Sequence, residues 1–209
     1  MGSRETFTKR LNESFEKAQK HDFVSGKSHD KETQEELRRV YINYGNQPSI
    51  QTAYLFNYSG APWLTQYWSR QVVEKIYSDL SPNFGYSGDE DQGLMGSLAV
   101  LMKTGLFSVN GGTSDKPFYE ISSSIFNKVT LHLNPKFYPG GKFVIEAKNN
   151  GPQNYYIQSA MLNGKPLNQS WILHENLVKG GKMTLQLGPQ PNKSWGSKPE
   201  QAPPSMTVK

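Results

Sequence analysis

Apolar residues recur at helical spacing through the first half of the chain. Phe7, Leu11, Phe15 and Ala18 are spaced about one helical turn apart and so share one face. They predict an amphipathic helix over residues 4–20. A charged stretch predicts a second helix from about Lys31. Pro48 suits the first turn of a third helix, Ser49 to Tyr58.

Glycine and proline mark the start of the next helices. Gly60-Ala61-Pro62-Trp63 reads as a turn that opens a helix, which continues over residues 64–80. Its predicted buried face comprises Trp68, Val72, Val73, Ile76 and Leu80. A further apolar helix is predicted from Gly93 to Leu106, directly after an acidic turn.

Beyond Gly111-Gly112 the pattern changes to the alternation of β-strands. Strands are predicted at residues 128–133, 142–147, 155–162 and 183–187. Asn163-Gly164 predicts a tight hairpin, since both central residues of a type I′ turn need a positive φ. The sequence therefore predicts a mixed α and β chain: a helical segment over 1–115, an antiparallel β domain over 116–195 and a flexible tail over 196–209.

Composition and charge narrow the function classes. The net charge is +5, but the 23 basic residues are dispersed along the chain, so no nucleic-acid partner is expected. There is no cysteine, which excludes disulfides and thiolate metal sites. No apolar run approaches the length of a membrane span, and Met1-Gly2-Ser3-Arg4 is not followed by the apolar core of a signal peptide.

The strongest candidate for a catalytic or metal-binding site is the acidic turn Gly88-Asp89-Glu90-Asp91-Gln92-Gly93. Its carboxylates are close enough to raise one another's pKa values. Asp89 and Asp91 could point the same way and deprotonate a water molecule or bind a metal. The plainer alternative, an acidic cap at a helix start, is the more common use of such residues.

Two loops are weaker candidates. In Gly45-Asn46-Gln47-Pro48-Ser49 the amides of Asn46 and Gln47 both donate and accept hydrogen bonds, which suits sugar hydroxyls. From the residues alone, a turn with a helix cap is the more ordinary interpretation. The segment Gly188 to Trp195 could reach a ligand through Asn192, Lys193 or Trp195, although a surface loop is again the simpler alternative.

Taken in order, these motifs resemble the α-mannosidases of glycoside hydrolase family 92. The resemblance covers about residues 4–196 and rests on several segments: residues 45–49, 54–58, 60–63, 88–93, 143–150, 156–160, 162–166 and 188–196. It implies that the chain supplies the last helices of an (α/α)₆ barrel and the C-terminal β structure. It also implies a calcium-dependent exo-α-mannosidase that acts with inversion on mannose-containing glycans.

The resemblance assigns roles to residues of this chain. It implies that Asp91 is the general base, that Asp89 assists it, and that Asn46 and Gln47 lie in the substrate-binding segment. Two departures are visible: Gln47 stands where many members carry Glu, and Ile50-Gln51 stand where many carry a His pair. They imply a different linkage preference.

The resemblance also implies that the general acid and several calcium ligands belong to a more N-terminal portion of the enzyme. Without that partner portion the chain is expected to be inactive. The alternatives are a non-catalytic carbohydrate-binding protein and an inactive truncation product. Members of the family are commonly secreted or periplasmic, but this chain does not itself indicate a compartment.

Overall fold

The computed structural model describes residues 2–23, 42–81, 85 and 92–205. The first helix, α1, runs Arg4–Gln19, as the sequence predicts. The hydroxyl oxygen of Ser3 accepts a hydrogen bond from the Thr6 N–H at 3.3 Å, which satisfies one of the unpaired N–H groups of the first turn. The helix predicted from Lys31 lies outside the described residues.

Between residues 47 and 58 the chain forms short turns, and the prediction of one continuous helix is wrong. The elements are two 3₁₀ turns, Gln47–Ser49 and Thr52–Tyr54, and a short helix α2, Leu55–Tyr58. Side chains bind both backbone groups of Ala53: the Tyr44 hydroxyl accepts from its N–H at 2.9 Å, and the Thr65 hydroxyl donates to its carbonyl at 2.8 Å. These tertiary hydrogen bonds replace the helical pattern.

The long helix α3, Pro62–Ile76, begins with proline at its first turn, where no N–H partner is needed. The predicted face is buried at Trp68, Val72, Val73 and Ile76. Leu80 is 95% exposed, so its place on that face is a wrong prediction. The helix ends at Ile76, and beyond a helix end the 3.6-residue spacing no longer marks one face.

The described strands form two sheets, which follow helix α4, Leu94–Thr104. The small antiparallel sheet has the order β1-β2-β7: β1 Leu106–Phe107, β2 Phe118–Ile121 and β7 Trp171–Leu173. The large sheet has the order β3-β4-β8-β5-β6: β3 Lys128–His132, β4 Lys142–Lys148, β5 Tyr156–Leu162, β6 Lys165–Pro166 and β8 Gly181–Gly188. A short helix α5, His174–Val178, connects β7 to β8.

The large sheet is mixed. Its β5–β6 hairpin turns at Asn163-Gly164 with φ angles of 50° and 80°, as predicted. β4 and β8, however, run parallel, with Ile145 opposite Met183. The prediction of an antiparallel β domain is therefore wrong at this pair. Parallel strands need a long crossover, here residues 149–180, and alternation along one strand does not reveal the direction of its neighbour.

Two hydrophobic clusters lie on opposite faces of the small sheet. Phe107 packs into a cluster with the helices, and the preceding Leu106 packs into a cluster with the large sheet. Adjacent strand residues point to opposite faces, so β1 contributes to both clusters. The small sheet therefore lies between the helices and the large sheet.

Polar side chains of α3 join the helices to the β structure. The buried Arg70 guanidinium donates to the Ser124 carbonyl at 2.9 Å and lies 5.5 Å from the centroid of the Tyr155 ring. The Gln66 side-chain oxygen accepts from the Ile157 N–H at 2.8 Å. A buried guanidinium needs such partners because removing its charge from water is costly.

The predicted domain boundaries stay predictions. Strand β1 lies before the predicted boundary at residue 115. In the predicted tail, Pro199–Gln201 forms a 3₁₀ turn and Pro203 is buried, while Pro204 and Ser205 line a cavity together with residues of the 110–118 segment.

Glu120 is a buried carboxylate on the helical side of the small sheet. Its two oxygens accept hydrogen bonds from the Tyr58 hydroxyl at 2.7 Å and from the Val109 N–H at 3.0 Å. Burial raises the pKa of the Glu120 carboxyl, and the hydrogen bond from Tyr58 opposes that rise. No sequence pattern indicated this group, because a glutamate on a strand is ordinarily exposed.

Ionisation of the buried Glu120 carboxyl is expected to lower the free energy of unfolding as pH rises. Its folded-state pKa is above the ordinary value, so the folded state binds the proton more tightly than the unfolded state. The contribution is therefore most favourable below the unfolded pKa of about 4.3 and is lost as pH rises through the folded pKa. Urea unfolding of wild type and Glu120→Gln at about pH 4 and pH 7 measures this.

The free energy of unfolding of the wild type, measured relative to that of Glu120→Gln, is expected to decrease from pH 4 to pH 7. Tyr58→Phe provides a second test, because losing its hydrogen bond raises the pKa of Glu120 further and enlarges the fall. A difference that stays constant, or grows with pH, would show that Glu120 does not act in this way.

Candidate active site

The loop that contains Asn46 and Gln47 is closed by its own side chains. The Asn46 side-chain oxygen accepts from the Gln47 N–H at 2.7 Å and opens the 3₁₀ turn Gln47–Ser49. The hydroxyl oxygen of buried Ser49 accepts from the Asn43 N–H at 2.9 Å. These bonds fix the backbone at the two predicted substrate-binding residues, so the helix-cap interpretation of Asn46 is confirmed at the level of local structure.

Tyr44 anchors this loop in the helical cluster. Its ring is fully buried, its N–H donates to the Phe23 carbonyl at 2.7 Å, and its hydroxyl accepts from Ala53. Burial raises the pKa of Tyr44, so the hydroxyl stays neutral. A loop held from a buried ring keeps its polar side chains in a defined position, which a binding site requires.

Tyr77 links the Asn46 loop to the start of α4. Its hydroxyl donates to the Tyr44 carbonyl at 2.6 Å and lies 3.9 Å from the sulfur of Met95, in the first turn of α4. Two segments that are far apart in the sequence therefore meet at one hydroxyl group. The second segment is the one that follows the acidic turn.

The chain enters α4 through two residues with positive φ. Gln92 has φ 60° and Gly93 has φ 91°. Glycine adopts this conformation without the steric cost of a side chain, and the Gly93 carbonyl then accepts the first helical bond, from Ser97 at 2.9 Å. The N-terminus of α4 carries a partial positive charge, which favours carboxylates in the residues just before it.

Asp89 and Asp91 lie outside the described residues, so their predicted roles are untested. Of the predicted site residues, the structure brings Asn46 and Gln47 together in one loop. In the part of the chain with assigned structure, no three His, Cys, Asp or Glu side chains are grouped to hold a metal ion. The described residues alone therefore do not provide a carboxylate calcium site.

The segment from Gly188 to Ser197 contacts both the β structure and the residues at the start of α3. The buried Trp195 indole donates to the Leu167 carbonyl at 2.8 Å. The Lys193 ammonium lies 5.9 Å from the centroid of the Trp63 ring, at the start of α3. A Cβ at Gly60 would lie 2.8 Å from the Ser197 carbonyl oxygen, so the two segments approach at backbone distance. The sequence did not reveal this packing role.

Comparison with known proteins gives a consistent result. Residues 1–189 match the family model described as the glycosyl hydrolase family 92 catalytic domain. The chain is 33% identical over 173 residues to an uncharacterized secreted glycosidase of Arthroderma benhamiae, which covers 80% of this chain and 20% of that protein. Among the described helices, none has the length and apolarity of a membrane span.

Solved structures match along almost the whole chain. A family 92 α-mannosidase from Bacteroides thetaiotaomicron, in complex with mannoimidazole, matches with a TM-score of 0.78 and 26% identity, over 98% of this chain and 25% of that one. A family 92 inverting mannosidase from the same species matches with a TM-score of 0.74 and 33% identity, over 97% of this chain and 27% of that one.

The chain spans 20% of the curated relative and 25–27% of these two structures. The family model covers most of the chain, and the mixed α and β fold matches the solved members. The chain therefore belongs to glycoside hydrolase family 92, as its motifs predict.

Proposed function

We propose that this chain is the C-terminal part of an inverting exo-α-mannosidase that removes terminal α-linked mannose from glycans. One observation supports the proposal: the Tyr77 hydroxyl contacts the Tyr44 carbonyl, which precedes the Asn46 loop, and Met95 in the first turn of α4, so the segments that flank two family motifs meet at this hydroxyl. Asp91, the proposed base, precedes Met95 by four positions in the sequence.

Inversion needs two carboxyl groups on opposite sides of the sugar ring, about 6.5–9.5 Å apart. Asp91 removes a proton from a water molecule, and the water oxygen attacks the anomeric carbon. Asp89 assists by holding that water or sharing the proton. The leaving oxygen takes its proton from a general acid in the more N-terminal portion of the longer enzyme, which is the partner this chain requires.

Asn46 and Gln47 orient the terminal mannose. A neutral amide both donates and accepts hydrogen bonds, which suits the neighbouring hydroxyls of a sugar. Gln47 brings no charge where many family members carry Glu, and Ile50 packs against the helical cluster where many carry His. These residues are proposed to change which linkage the enzyme accepts, since a hydrogen-bonding site rejects a substrate that leaves its groups unpaired.

Calcium is the proposed cofactor, with most of its ligands in the N-terminal portion. Calcium takes six to eight oxygen ligands, such as carboxylate and backbone carbonyl groups. When bound, the ion would polarise sugar hydroxyls. The described helices are proposed to complete an (α/α)₆ barrel with that portion.

The test is hydrolysis of an aryl α-mannoside in the presence of calcium, by this chain alone and by the longer protein that contains it. The longer protein is expected to release β-mannose first, as seen by proton NMR, and the chain alone is expected to be inactive. Activity of the chain alone would mean that it contains its own acid. Release of α-mannose first would exclude inversion.

A further inference from the structure

The outer face of the large sheet gathers lysines that are scattered in the sequence. On β4, Phe143, Ile145 and Ala147 are buried, so the alternate residues point outward. The register then places further residues on the same outer face: Lys128 opposite Glu146, His132 opposite Lys142, Lys182 opposite Val144, and Gln186 opposite Lys148. We call this surface the lysine face, defined by Lys128, Lys142, Lys148 and Lys182.

The lysine face carries a net positive charge. Its one carboxylate, Glu146, pairs with Lys182 at 2.8 Å. The pKa of Glu146 is lowered, first by its hydrogen bond with Lys182 and further by the nearby charges of Lys148 and Lys128. Lys128, Lys142 and Lys148 have no ion pair within the described part of the chain. Three uncompensated charges thus lie along about 20 Å of strand.

Besides the apolar Val144 and Met161, the face carries four polar side chains that suit sugar hydroxyls. Thr130, Thr184, Gln186 and Ser159 lie in register between the lysines and provide hydroxyl and amide groups. Among the described strand residues, the lysine face has no arginine, whose planar fork favours phosphate. The open face of a sheet also cannot enclose a single sugar, so a chain that spans several lysines is the matching ligand.

We propose that the lysine face binds an acidic polysaccharide. The ammonium groups pair with anionic substituents along the glycan, and the hydroxyl and amide groups bind the sugar rings between them. The inference rests on the proposed function only in choosing a glycan as the anionic chain.

The test is binding of the chain to labelled dextran sulfate, with neutral dextran of the same length for comparison, followed by fluorescence anisotropy. The chain is expected to bind dextran sulfate and not neutral dextran, and this binding is expected to weaken as the salt concentration rises. A lysine beside an anionic surface contributes a factor of about five in affinity. The triple variant Lys128→Gln/Lys142→Gln/Lys148→Gln is therefore expected to bind at least about tenfold more weakly after partial screening.

Glu146→Gln is expected to bind more tightly, because it removes the one negative charge of the face. The matched control is Lys9→Gln/Lys17→Gln/Lys20→Gln, which removes the same charge from exposed positions at α1 and is expected to bind as wild type does. Circular dichroism and the unfolding midpoint verify that each variant folds.

Three results would overturn the proposal: equal weakening in the α1 control, equal binding of neutral dextran, or tighter lysine-dependent binding of duplex DNA or phosphatidylglycerol vesicles. The binding measurement does not depend on hydrolysis of any substrate. An enzyme that fails to hydrolyse mannosides would contradict the proposed function and leave this binding result standing.

Discussion

Replacing Asp91 with asparagine is expected to lower kcat of the longer enzyme on an aryl α-mannoside by about 10²–10⁴-fold. An amide cannot accept the proton of the attacking water at neutral pH, and the general acid alone does not activate that water. KM is expected to change far less, because proton removal develops in the transition state and not on binding. Steady-state kinetics with calcium present measure both constants.

The control is Glu90→Gln, which removes the carboxylate between the two aspartates and the same unit of charge. Its kcat is expected to stay within a few-fold of wild type. Asp89→Asn is expected to fall between the two, since Asp89 assists the base. If Glu90→Gln loses as much activity as Asp91→Asn, the turn acts through its total charge and Asp91 is not the base.

Replacing Phe15 with alanine is expected to lower the free energy of unfolding by about 3–5 kcal/mol. The Phe15 ring is 0% exposed and stacks on Trp68 at 5.1 Å, with the Phe56 ring 5.6 Å away. The rings of Phe23 and Tyr44 lie 6.4 Å away. Removing the ring leaves a cavity that these rigid neighbours cannot close. Urea unfolding followed by far-ultraviolet circular dichroism measures the loss.

Phe7→Ala is the matched control, because Phe7 lies on the same helix and is only half-buried. The change in helix propensity is identical at the two positions, so the difference between the variants reports packing. Phe7→Ala is expected to cost less than about 2 kcal/mol. Equal losses would mean that Phe15 does not act as the packing centre of the helical cluster. Phe15→Leu is expected to recover most of the stability.

Local elements followed from the sequence where a short-range physical rule decides them. The apolar spacing in α1 and α3 gave both helices, because an i, i+4 pattern has one consistent backbone conformation. Asn163-Gly164 gave a hairpin turn, because few residue pairs tolerate positive φ twice. Leu80 was misassigned because periodicity alone does not report where a helix ends.

The candidate site was only partly predictable. Asn46 and Gln47 stood out as amides in a turn, and the acidic turn stood out as clustered charge. The buried hydroxyl of Tyr77, which connects the Asn46 loop to the first turn of α4, carried no sequence signal because it acts through a backbone carbonyl and a sulfur atom distant in sequence.

By itself, the sequence determined the family, the three longest of the described helices, the four longest strands, and the residues that could carry chemistry. Each of these depends on the identity of neighbouring residues or on motif order. Only the tertiary structure decided the parallel pairing of β4 and β8, the burial of Glu120 and the assembly of the lysine face. Those features arise from contacts between segments distant in sequence, and the free energy that selects them is the packing of the whole chain, which no local pattern encodes.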